Sequence, residues 1–336
     1  MSVPIYLDYN ATTPIAPEVT EEMLPYILTY FGNPSSSYAI GCHNKEAIEK
    51  ARMRVAGLLG AKPEEIIFTS GGTESNNYAI RGAVLANQDK GKHIITSQVE
   101  HPVVTEVCSY LEKQGYEITQ LPVDSYGKVN LEDVEKAIRP DTVLISIMHA
   151  NNEVGTIQPV KEIGEIAKKH SVLFHTDAAQ SVGKIETDVN KLGIDMLSVA
   201  GHKLYAPKGI GALYIRDGVR LENLIFGAVQ EQGLRPGTEN VPYIVALGKA
   251  CELATDNFET SKMHLYQMRQ RLLNGFIMKC QTTIKLNADL KNCLPNTLSI
   301  AFDKVDAHTL VSLVSQKVFS QQAQPVMPIR LRFLQY

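Results

Sequence analysis

Short apolar runs alternate with amphipathic stretches through the first two thirds of the chain. The runs are rich in β-branched residues and predict seven strands, over residues 65–69, 93–97, 117–123, 142–148, 172–175, 195–199 and 211–215. Between them, apolar residues recur at helical spacing, as in the predicted helix over residues 160–170. Such alternation is typical of an α/β fold, here a mainly parallel seven-stranded sheet covered by helices on both faces.

The last third of the chain follows a different pattern. A long helical period runs from about Ala246 to Leu272, and a strand-like run follows at residues 296–302. These elements predict a linker helix and the beginning of a second, smaller α+β domain. From about Phe319 to Tyr336 we find no clear period.

The composition indicates an ordinary globular protein. Of the 336 residues, 44% are hydrophobic and 21% are charged, and the net charge is -3, so we expect no nucleic-acid partner. The five cysteines are scattered and form no Cys-x-x-Cys pair, which argues against a disulfide framework and against a metal site. Because we find neither a leader nor a long apolar run, we expect no membrane segment and a cytoplasmic location.

One lysine stands where a strand ends. Lys203 follows His202 and the predicted strand over residues 195–199, and a glycine-rich turn comes next. A desolvated amine at such a place suits imine formation. Considered singly, a lysine in a turn is more commonly a surface residue.

Two polar residues follow another apolar strand. The carboxylate of Asp177 could pair with a cationic ring nitrogen, although an aspartate at this place is equally typical of a helix N-cap. Gln180, three residues later, could form a hydrogen bond with a ring hydroxyl or face solvent.

A glycine-rich turn follows the first predicted strand of the sheet. Gly72 and Thr73 open a helix there, and the free backbone N–H groups of a helix start attract phosphate. Clusters of Ser, Thr and Gly are also ordinary caps. Two further strand ends carry His101, which could stack on a planar ring and move protons, and Asn152, which could hydrogen-bond a ring or a substrate.

Taken together and in order, these motifs resemble the cysteine desulfurase and selenocysteine lyase family, within the class-V aminotransferase-like proteins of pyridoxal phosphate fold type I. The resemblance extends to about Lys317. It is carried by Tyr-Leu-Asp-Tyr-Asn-Ala-Thr-Thr-Pro at 6–14, Gly-Asn-Pro-Ser-Ser at 32–36, Gly-Gly-Thr-Glu-Ser at 71–75, Glu-His at 100–101, Asn-Asn-Glu at 151–153, His-Thr-Asp-Ala-Ala-Gln at 175–180, Gly-His-Lys at 201–203 and Arg-Pro-Gly-Thr-Glu-Asn at 235–240.

The resemblance implies a pyridoxal 5′-phosphate cofactor and a division into two domains. Residues 1–250 form the large cofactor-binding domain, with residues 1–15 packing against the small domain. Residues 251–336 form an incomplete small domain, in which residues 319–336 are an aberrant tail. The expected partners are L-cysteine or L-selenocysteine as substrate, a second copy of the chain in a homodimer, and a sulfur-acceptor protein.

The resemblance also assigns roles to individual residues. Lys203 is the Schiff-base lysine and the base that takes the substrate Cα proton, and His101 stacks on the cofactor ring and acts with it in catalysis. The remaining implied cofactor contacts are Asp177 at the pyridine nitrogen, Gln180 and Asn152 at the ring oxygen or substrate, Gly72, Thr73 and His202 at the phosphate, and Thr238 at the phosphate of the neighbouring subunit. Ala200 stands where the family often has a serine, which predicts the loss of one phosphate hydrogen bond.

The chain departs from the family pattern after Val318. The family carries its sulfur-accepting cysteine in a Ser-x-Gly-Ser-Ala-Cys loop there, whereas this chain reads Gln-Gln-Ala-Gln-Pro-Val-Met at residues 321–327. Plausible codons for Ser-Ala-Gly-Ser-Ala-Cys-His yield that same peptide when they are read in a shifted frame. We therefore hypothesise that the tail is a frameshifted reading of the family's loop.

Three functions stay open from the sequence. The first is a cysteine desulfurase that forms L-alanine and a persulfide for iron–sulfur cluster assembly or other sulfur transfer, with selenocysteine lyase as the alternative. The second is a catalytically silent relative that keeps the cofactor scaffold. The third is another reaction of the same fold that needs no thiol, such as aminotransfer or β-elimination.

Overall fold

The computed structural model describes residues 5–280 and 282–322. Its strands are β1 (Ile5–Tyr6), β2 (Ile66–Thr69), β3 (His93–Ser97), β4 (Glu117–Leu121), β5 (Thr142–Ser146), β6 (Leu173–Asp177), β7 (Met196–Ala200), β8 (Gly211–Ile215), β9 (Ile284–Leu286), β10 (Ile300–Phe302) and β11 (Val318–Phe319). Its α-helices are α1 (Pro17–Leu28), α2 (Ala39–Leu59), α3 (Gly72–Ala86), α4 (Pro102–Glu112), α5 (Leu131–Ala137), α6 (Val160–Lys169), α7 (Val241–Asp256), α8 (Phe258–Lys279) and α9 (Ala307–Val314).

Seven strands form the central sheet, in the spatial order β2, β8, β7, β6, β5, β3, β4. Strand β8 is antiparallel to both of its neighbours, and the remaining pairs are parallel. The predicted mainly parallel seven-stranded sheet is therefore confirmed, and the predicted strand bounds differ from the observed ones by at most two residues. Since only β8 is reversed, strands β2, β7, β6, β5 and β3 all end at the same edge of the sheet.

Helices cover both faces of the sheet, as the sequence pattern predicts. On one face, Phe68 and Phe174 belong to a buried apolar cluster with residues of α1, α2, α6 and α7. On the other face, Ile67 and Leu144 pack with α3 and α4. Adjacent residues of one strand, such as Ile67 and Phe68, enter different clusters because successive side chains point to opposite faces.

The predicted long helix from about Ala246 to Leu272 is wrong, because two helices occupy this stretch. Helix α7 ends at Asp256 and α8 begins at Phe258. Between them, Asn257 donates from its backbone N–H and its side-chain amide to the carbonyl of Leu253. An asparagine side chain that bonds to the preceding turn competes with helix propagation, which explains the break.

The predicted strand over residues 296–302 is also shorter than expected. Strand β10 contains only its last three residues and pairs antiparallel with β9. The side chains of Asn296 and Thr297 instead form hydrogen bonds with Asn10. These polar contacts replace a strand ladder over residues 296–297.

The N-terminal segment touches two parts of the molecule. Strand β1 pairs in parallel with β11, so Ile5 lies opposite Val318. A few residues later, Thr13 donates from its backbone N–H to the carbonyl of His202, 2.9 Å away. The domain boundary near residue 250 stays a prediction. Of the hypothesised frameshifted peptide, residues 323–327 lie outside the described residues, as does the rest of the tail.

Within the described part of the chain, none of the helices has the length and apolar character needed to cross a membrane.

Candidate active site

The common edge of strands β2, β3, β5, β6 and β7 carries the loops in which sequence reasoning placed the site. Ligands in open α/β sheets bind outside the carboxyl ends of the strands. The loops contribute, in spatial order along the sheet, Gly72, Lys203, Asp177, Asn152 and His101. The topology therefore gathers at one edge residues that are up to about 130 positions apart in the sequence.

Lys203 ends a 3₁₀ turn that follows β7. The turn begins at Gly201, where a Cβ atom would lie 2.8 Å from the carbonyl oxygen of Ile210, so a side chain cannot be accommodated. Burial lowers the pKa of the Lys203 ammonium, and the carboxylates of Asp177 and Asp8 partly offset this effect. Its amine is therefore neutral, and so nucleophilic, at a lower pH than that of an exposed lysine.

Asp177 is the last residue of β6 and is 7% exposed. Its Oδ2 accepts a 2.8 Å hydrogen bond from Asn76 Nδ2, and its Oδ1 accepts a 2.9 Å bond from the backbone N–H of Ala179. Residues 179–183 form turns and not an α-helix. The interpretation of Asp177 as a helix N-cap is therefore wrong. The two bonds fix the carboxylate beside Lys203.

Gln180 is buried, with 3% of its surface exposed, and does not face solvent. Its Nε2 donates to the backbone carbonyl of Asn10 at 2.9 Å, and the backbone carbonyl of Gln180 accepts from Nζ of Lys184 at 3.0 Å. Its Oε1 is buried and lacks a hydrogen-bond partner among the described residues. An unpaired buried acceptor costs free energy, so this oxygen marks a place where a ligand could donate.

The turn between β2 and α3 forms a cup. Gly71 adopts a φ of +146°, a conformation that L side chains rarely take, and α3 begins at Gly72. A Cβ atom on Gly72 would lie 3.2 Å from the Cβ of Ala200, so these two residues are in close contact. The N–H groups of the first turn of a helix have no partner within the helix, so the start of α3 can offer them to an anion.

A cleft of about 370 Å³ opens at this cup. It brings together Gly72, Thr73 and His202, the three residues assigned to phosphate. The complete lining is Ala11, Thr12, Ser70, Gly71, Gly72, Thr73, Glu74, His202, Lys208, Gly209 and Ile210. Sequence reasoning missed Lys208, although its place in a glycine-rich turn directly after the lysine motif was an available signal.

His202 is held by the N-terminal segment. Its Nδ1 lies 3.1 Å from Oγ1 of Thr12, and its carbonyl accepts a 3.0 Å bond from Oγ1 of Thr13. Burial lowers the pKa of His202, and the nearby ammonium groups of Lys203 and Lys208 lower it further. The imidazole is therefore kept neutral and can act as a hydrogen-bond donor to an anion in the cup.

His101 precedes α4 and acts as its N-cap. Its Nδ1 accepts a 3.2 Å bond from the backbone N–H of Val103, so the proton of the neutral ring is on Nε2. Burial lowers its pKa; Asp177 opposes this effect and Lys203 adds to it. His101 and Thr73 also line a larger groove of about 540 Å³ between α3 and α4.

Glu100 is a titratable residue whose function the sequence did not suggest. It is 8% exposed, and its carboxylate accepts from Ser97 Oγ at 2.6 Å and from the backbone N–H of Met148 at 3.0 Å. Burial raises its pKa to about 8. Glu100 ties the loop that carries His101 to the end of β5.

Two of the predicted residues are less directly placed. Asn152 lies in the turn after β5, and its carbonyl accepts a 3.0 Å bond from Nδ2 of Asn10. Thr238 is exposed and lines neither of the two clefts. It follows Arg235, whose Nε donates to Oε1 of Glu74 at 2.9 Å and so attaches this loop to the first turn of α3.

None of the five cysteines lines either cleft. Cys108, Cys251 and Cys293 are buried, and burial raises the pKa of the first two thiols to about 12 and that of the third to about 11. Cys42 is exposed on α2. The described residues also contain no group of three or more His, Cys, Asp or Glu side chains that could hold a metal ion.

A lysine after a strand end, beside an aspartate and a cup suited to phosphate, is the arrangement expected of a pyridoxal phosphate-dependent enzyme. Comparisons with known proteins agree with this class. The model of the aminotransferase class-V family matches residues 5–320. The chain belongs to this family, whose members are pyridoxal phosphate-dependent, and the fold type expected from the sequence is confirmed.

Its relatives within that family are cysteine desulfurases. The chain is 53% identical to cysteine desulfurase IscS of Methanosarcina thermophila over 93% of this chain and 77% of the relative, and 45% identical to human cysteine desulfurase over 94% and 70%. A solved NifS-like protein superposes with a TM-score of 0.89 at 42% identity, covering 93% of this chain and 86% of that one. A structure described as SspA in complex with cysteine gives 0.84 at 40%, covering 95% and 89%. The expected relationship to cysteine desulfurases is confirmed, and the selenocysteine lyase alternative is not better supported.

Proposed function

We propose that this chain holds pyridoxal 5′-phosphate through Lys203 and uses it to remove sulfur from L-cysteine, with L-alanine as the product. One observation carries the proposal: a desolvated lysine amine, which interacts with two carboxylates, lies in the turn after a strand, next to a cup suited to phosphate. The family membership supports the same chemistry.

The residues at the sheet edge fit this cofactor. The cup at Gly72 offers N–H groups to the phosphate, and the unpaired Oε1 of Gln180 offers an acceptor to a ring substituent. Asp177 is placed to neutralise a protonated pyridine nitrogen, since it is anchored by two hydrogen bonds on the side of Lys203. When bound, the cofactor supplies an electron sink that acidifies the substrate Cα.

The side chains then have distinct tasks. Lys203 Nζ takes the proton from the substrate Cα, for which its lowered pKa suits it. His101 would cover the ring, and its neutral imidazole holds a proton on Nε2, from where it can protonate a substrate atom. Thr73 and His202 would hold the phosphate, and we assign Asn152 to orienting the substrate.

The sulfur acceptor is the open part of the reaction. Desulfuration transfers the substrate sulfur to a thiol, which becomes a persulfide, while the carbon skeleton leaves as alanine. Because no cysteine lines either cleft, we propose as a second candidate function that the chain binds cofactor and L-cysteine without forming a persulfide of its own. An added small thiol would then accept the sulfur in its place.

The remaining expectations are proposals of the same kind. A homodimer in which Thr238 of one copy reaches the phosphate site of the other accounts for the exposure of this residue. A separate sulfur-acceptor protein and a cytoplasmic location complete the proposal.

The test begins with cofactor attachment. After incubation with pyridoxal phosphate and reduction with borohydride, we expect the intact mass to increase by one cofactor in the wild type and to stay unchanged in Lys203→Ala. A mass increase of equal size in both proteins would contradict the role of Lys203.

Product analysis then separates the candidate functions. With L-cysteine and excess dithiothreitol, we expect equal amounts of alanine and sulfide, and no alanine without the added thiol. Alanine with a persulfide on the protein in the absence of added thiol would assign the acceptor to this chain. Pyruvate instead of alanine would establish β-elimination. Residual activity is expected to favour selenocysteine, because selenium is the better leaving group.

A further inference from the structure

We propose that Asn76 is a positioning residue that stabilises the ionised carboxylate of Asp177 and thereby keeps a proton on the ring nitrogen of the cofactor. The inference rests on the proposed function, because Asp177 meets a ring nitrogen only if the cofactor binds here. Asn76 lines neither of the two clefts, so it acts through Asp177.

The amide of Asn76 contacts the carboxylate directly. Its Nδ2 donates to Oδ2 of Asp177 at 2.8 Å, and Asn76 is 1% exposed. The amide nitrogen, and not the amide oxygen, faces Asp177 because the oxygens of an ionised carboxylate only accept hydrogen bonds. Among the described residues, the other neutral donor to this carboxylate is a backbone group, the N–H of Ala179. A substitution at residue 76 therefore removes one of two neutral donors and leaves the other in place.

The bond to Asp177 is the one hydrogen bond of the Asn76 side chain within the described part of the chain. Its Oδ1 is buried without a partner there. An unpaired buried acceptor costs free energy. Apart from packing, the contribution of this side chain therefore lies in its bond to Asp177.

This bond affects where a proton lies. A hydrogen bond donated to a carboxylate favours the charged form of the carboxylate. When Asp177 pairs with a pyridine nitrogen, the proton between them can belong to either partner, and a donor that stabilises the carboxylate leaves the proton on the nitrogen. A protonated ring is the stronger electron sink. Loss of the Asn76 amide should therefore move the proton toward Asp177.

Helix α3 places this amide close to the cup. The helix begins at Gly72, and Asn76 follows four residues later, or about 6 Å along the axis. The first turn of α3 can offer its N–H groups to the phosphate, and through Asp177 the same helix acts on the ring nitrogen. One regular element therefore supports both groups of the cofactor.

Three other ionisable groups act on Asp177. The ammonium of Lys203 and the imidazolium form of His101 attract its charge, whereas the carboxyl group of Glu100 opposes it. Burial raises the pKa of Glu100 to about 8, and the charge of Asp177 adds to this rise, so Glu100 is mostly uncharged at neutral pH. A substitution of Asn76 leaves all three groups in place, so the effect of the amide can be measured separately.

The experiment compares Asn76→Ala with the wild type, both loaded with pyridoxal phosphate that carries ¹⁵N in the ring. The ¹⁵N chemical shift distinguishes a protonated from a neutral pyridine nitrogen. We expect the signal of the variant to move toward the neutral value, with a change of about tenfold in the proton equilibrium, as for one hydrogen bond to a charged group. A loss of stability alone would not move the signal of the cofactor that stays bound.

A second measurement uses the full chain without cofactor. With ¹³C in the aspartate carboxyl groups, and with Asp177→Asn to assign the signal, the titration of Asp177 can be followed directly. We expect its midpoint to increase by about one pH unit in Asn76→Ala, which corresponds to the same tenfold effect. An unchanged midpoint would contradict the effect of Asn76 on the carboxylate.

Asn76→Ser is the second variant, because its hydroxyl is one bond shorter than the amide and should not reach Asp177. We expect the same changes as in Asn76→Ala, so Asn76→Ser decides the matter if Asn76→Ala does not fold. Asn87→Ala is the matched control at the other end of α3. Asn87 is 7% exposed and donates from Nδ2 to the carbonyl of Ala83 at 2.8 Å. Its loss should lower the melting temperature without changing either signal.

The outcomes separate this inference from the proposed function. A wild-type ¹⁵N shift in both variants of Asn76 overturns the inference and leaves the proposed function intact. A wild-type chain that retains no cofactor overturns the proposed function and, with it, the role of Asn76 at the ring nitrogen. The titration of Asp177 in the chain without cofactor still shows in that case whether Asn76 stabilises the carboxylate.

Discussion

The edge of the central sheet and the C-terminal region from α8 onward are built differently. Asp177 and Gln180 are buried and held by defined hydrogen bonds. Helix α8, in contrast, buries only Arg269 and Leu273 among its 22 residues, and α9 buries none. The difference shows that the groups proposed to bind cofactor are organised by the sheet and do not depend on dense packing of the C-terminal region.

The exposed side chains of the C-terminal region sharpen this contrast. Met278 on α8 is 84% exposed and Leu313 on α9 is 77% exposed. Large apolar side chains at such exposure contribute little to folding, because their surface stays in water. We therefore expect the two regions to differ in local stability.

The largest expected effect is at the sheet edge. Asp177→Asn removes the charge that supports a protonated Lys203, so the pKa of Lys203 should fall further, and cofactor affinity should fall roughly 10²-fold, as for other buried charge pairs. Equilibrium titration with pyridoxal phosphate at several pH values measures both changes. Asp195→Asn, the same substitution in the loop that precedes β7, is the control. An affinity within twofold of the wild type would contradict the role of Asp177.

The next effect concerns the C-terminal region. Arg269 is 4% exposed and donates to the carbonyls of Leu294 and Leu290, at 2.6 and 3.3 Å. We expect Arg269→Ala to cost about 2 kcal/mol locally, because it removes charge-assisted bonds to buried carbonyls. Hydrogen exchange should accelerate over residues 284–302 and stay unchanged in β5 to β7. Arg271→Ala, an exposed change on the same helix, is the control, and equal acceleration in both regions would break the contrast.

A further effect appears when the pH is lowered. His175 is fully buried between Oγ of Ser146 and Oγ of Ser198, and burial lowers its pKa to about 3. Below about pH 6.5 the imidazole of His175 is protonated in the unfolded chain but not in the folded chain. As the pH decreases, the free energy of unfolding should therefore decrease by about 1.4 kcal/mol per pH unit. Denaturant titrations between pH 6.5 and 4 measure the dependence of the free energy of unfolding on pH. In His175→Gln this slope should be smaller by the contribution of one proton, about 1.4 kcal/mol per pH unit. An unchanged slope would contradict it.

The smallest expected effect is a gain. Ala200 lies close to Gly72, which lines the cup, so a serine hydroxyl at this position could donate to a phosphate. Ala200→Ser should therefore tighten cofactor binding about fivefold, or about 1 kcal/mol for one net hydrogen bond. Competition between the two proteins for limiting pyridoxal phosphate measures the ratio, with Ala83→Ser as the control. Weaker binding would mean that the hydroxyl does not reach the ligand.

The sequence by itself determined the sheet and the identity of the strand-end groups. Short apolar runs between helical stretches specify buried strands, so strands β3 and β8 have the predicted bounds. The motifs around Lys203, Asp177 and Gly72 could be identified from the sequence because each occupies a short segment after a strand. The absence of a cysteine from residues 319–336 could also be read directly, since it depends only on which residues are present.

Only the tertiary structure decided how these groups act on one another. The break at Asn257 and the irregular backbone at residues 296–297 arise from side-chain hydrogen bonds that no periodicity encodes. Likewise, the amide of Gln180 is held by a carbonyl 170 residues away. Burial and long-range hydrogen bonds set these properties, and both come into being only when distant segments pack together.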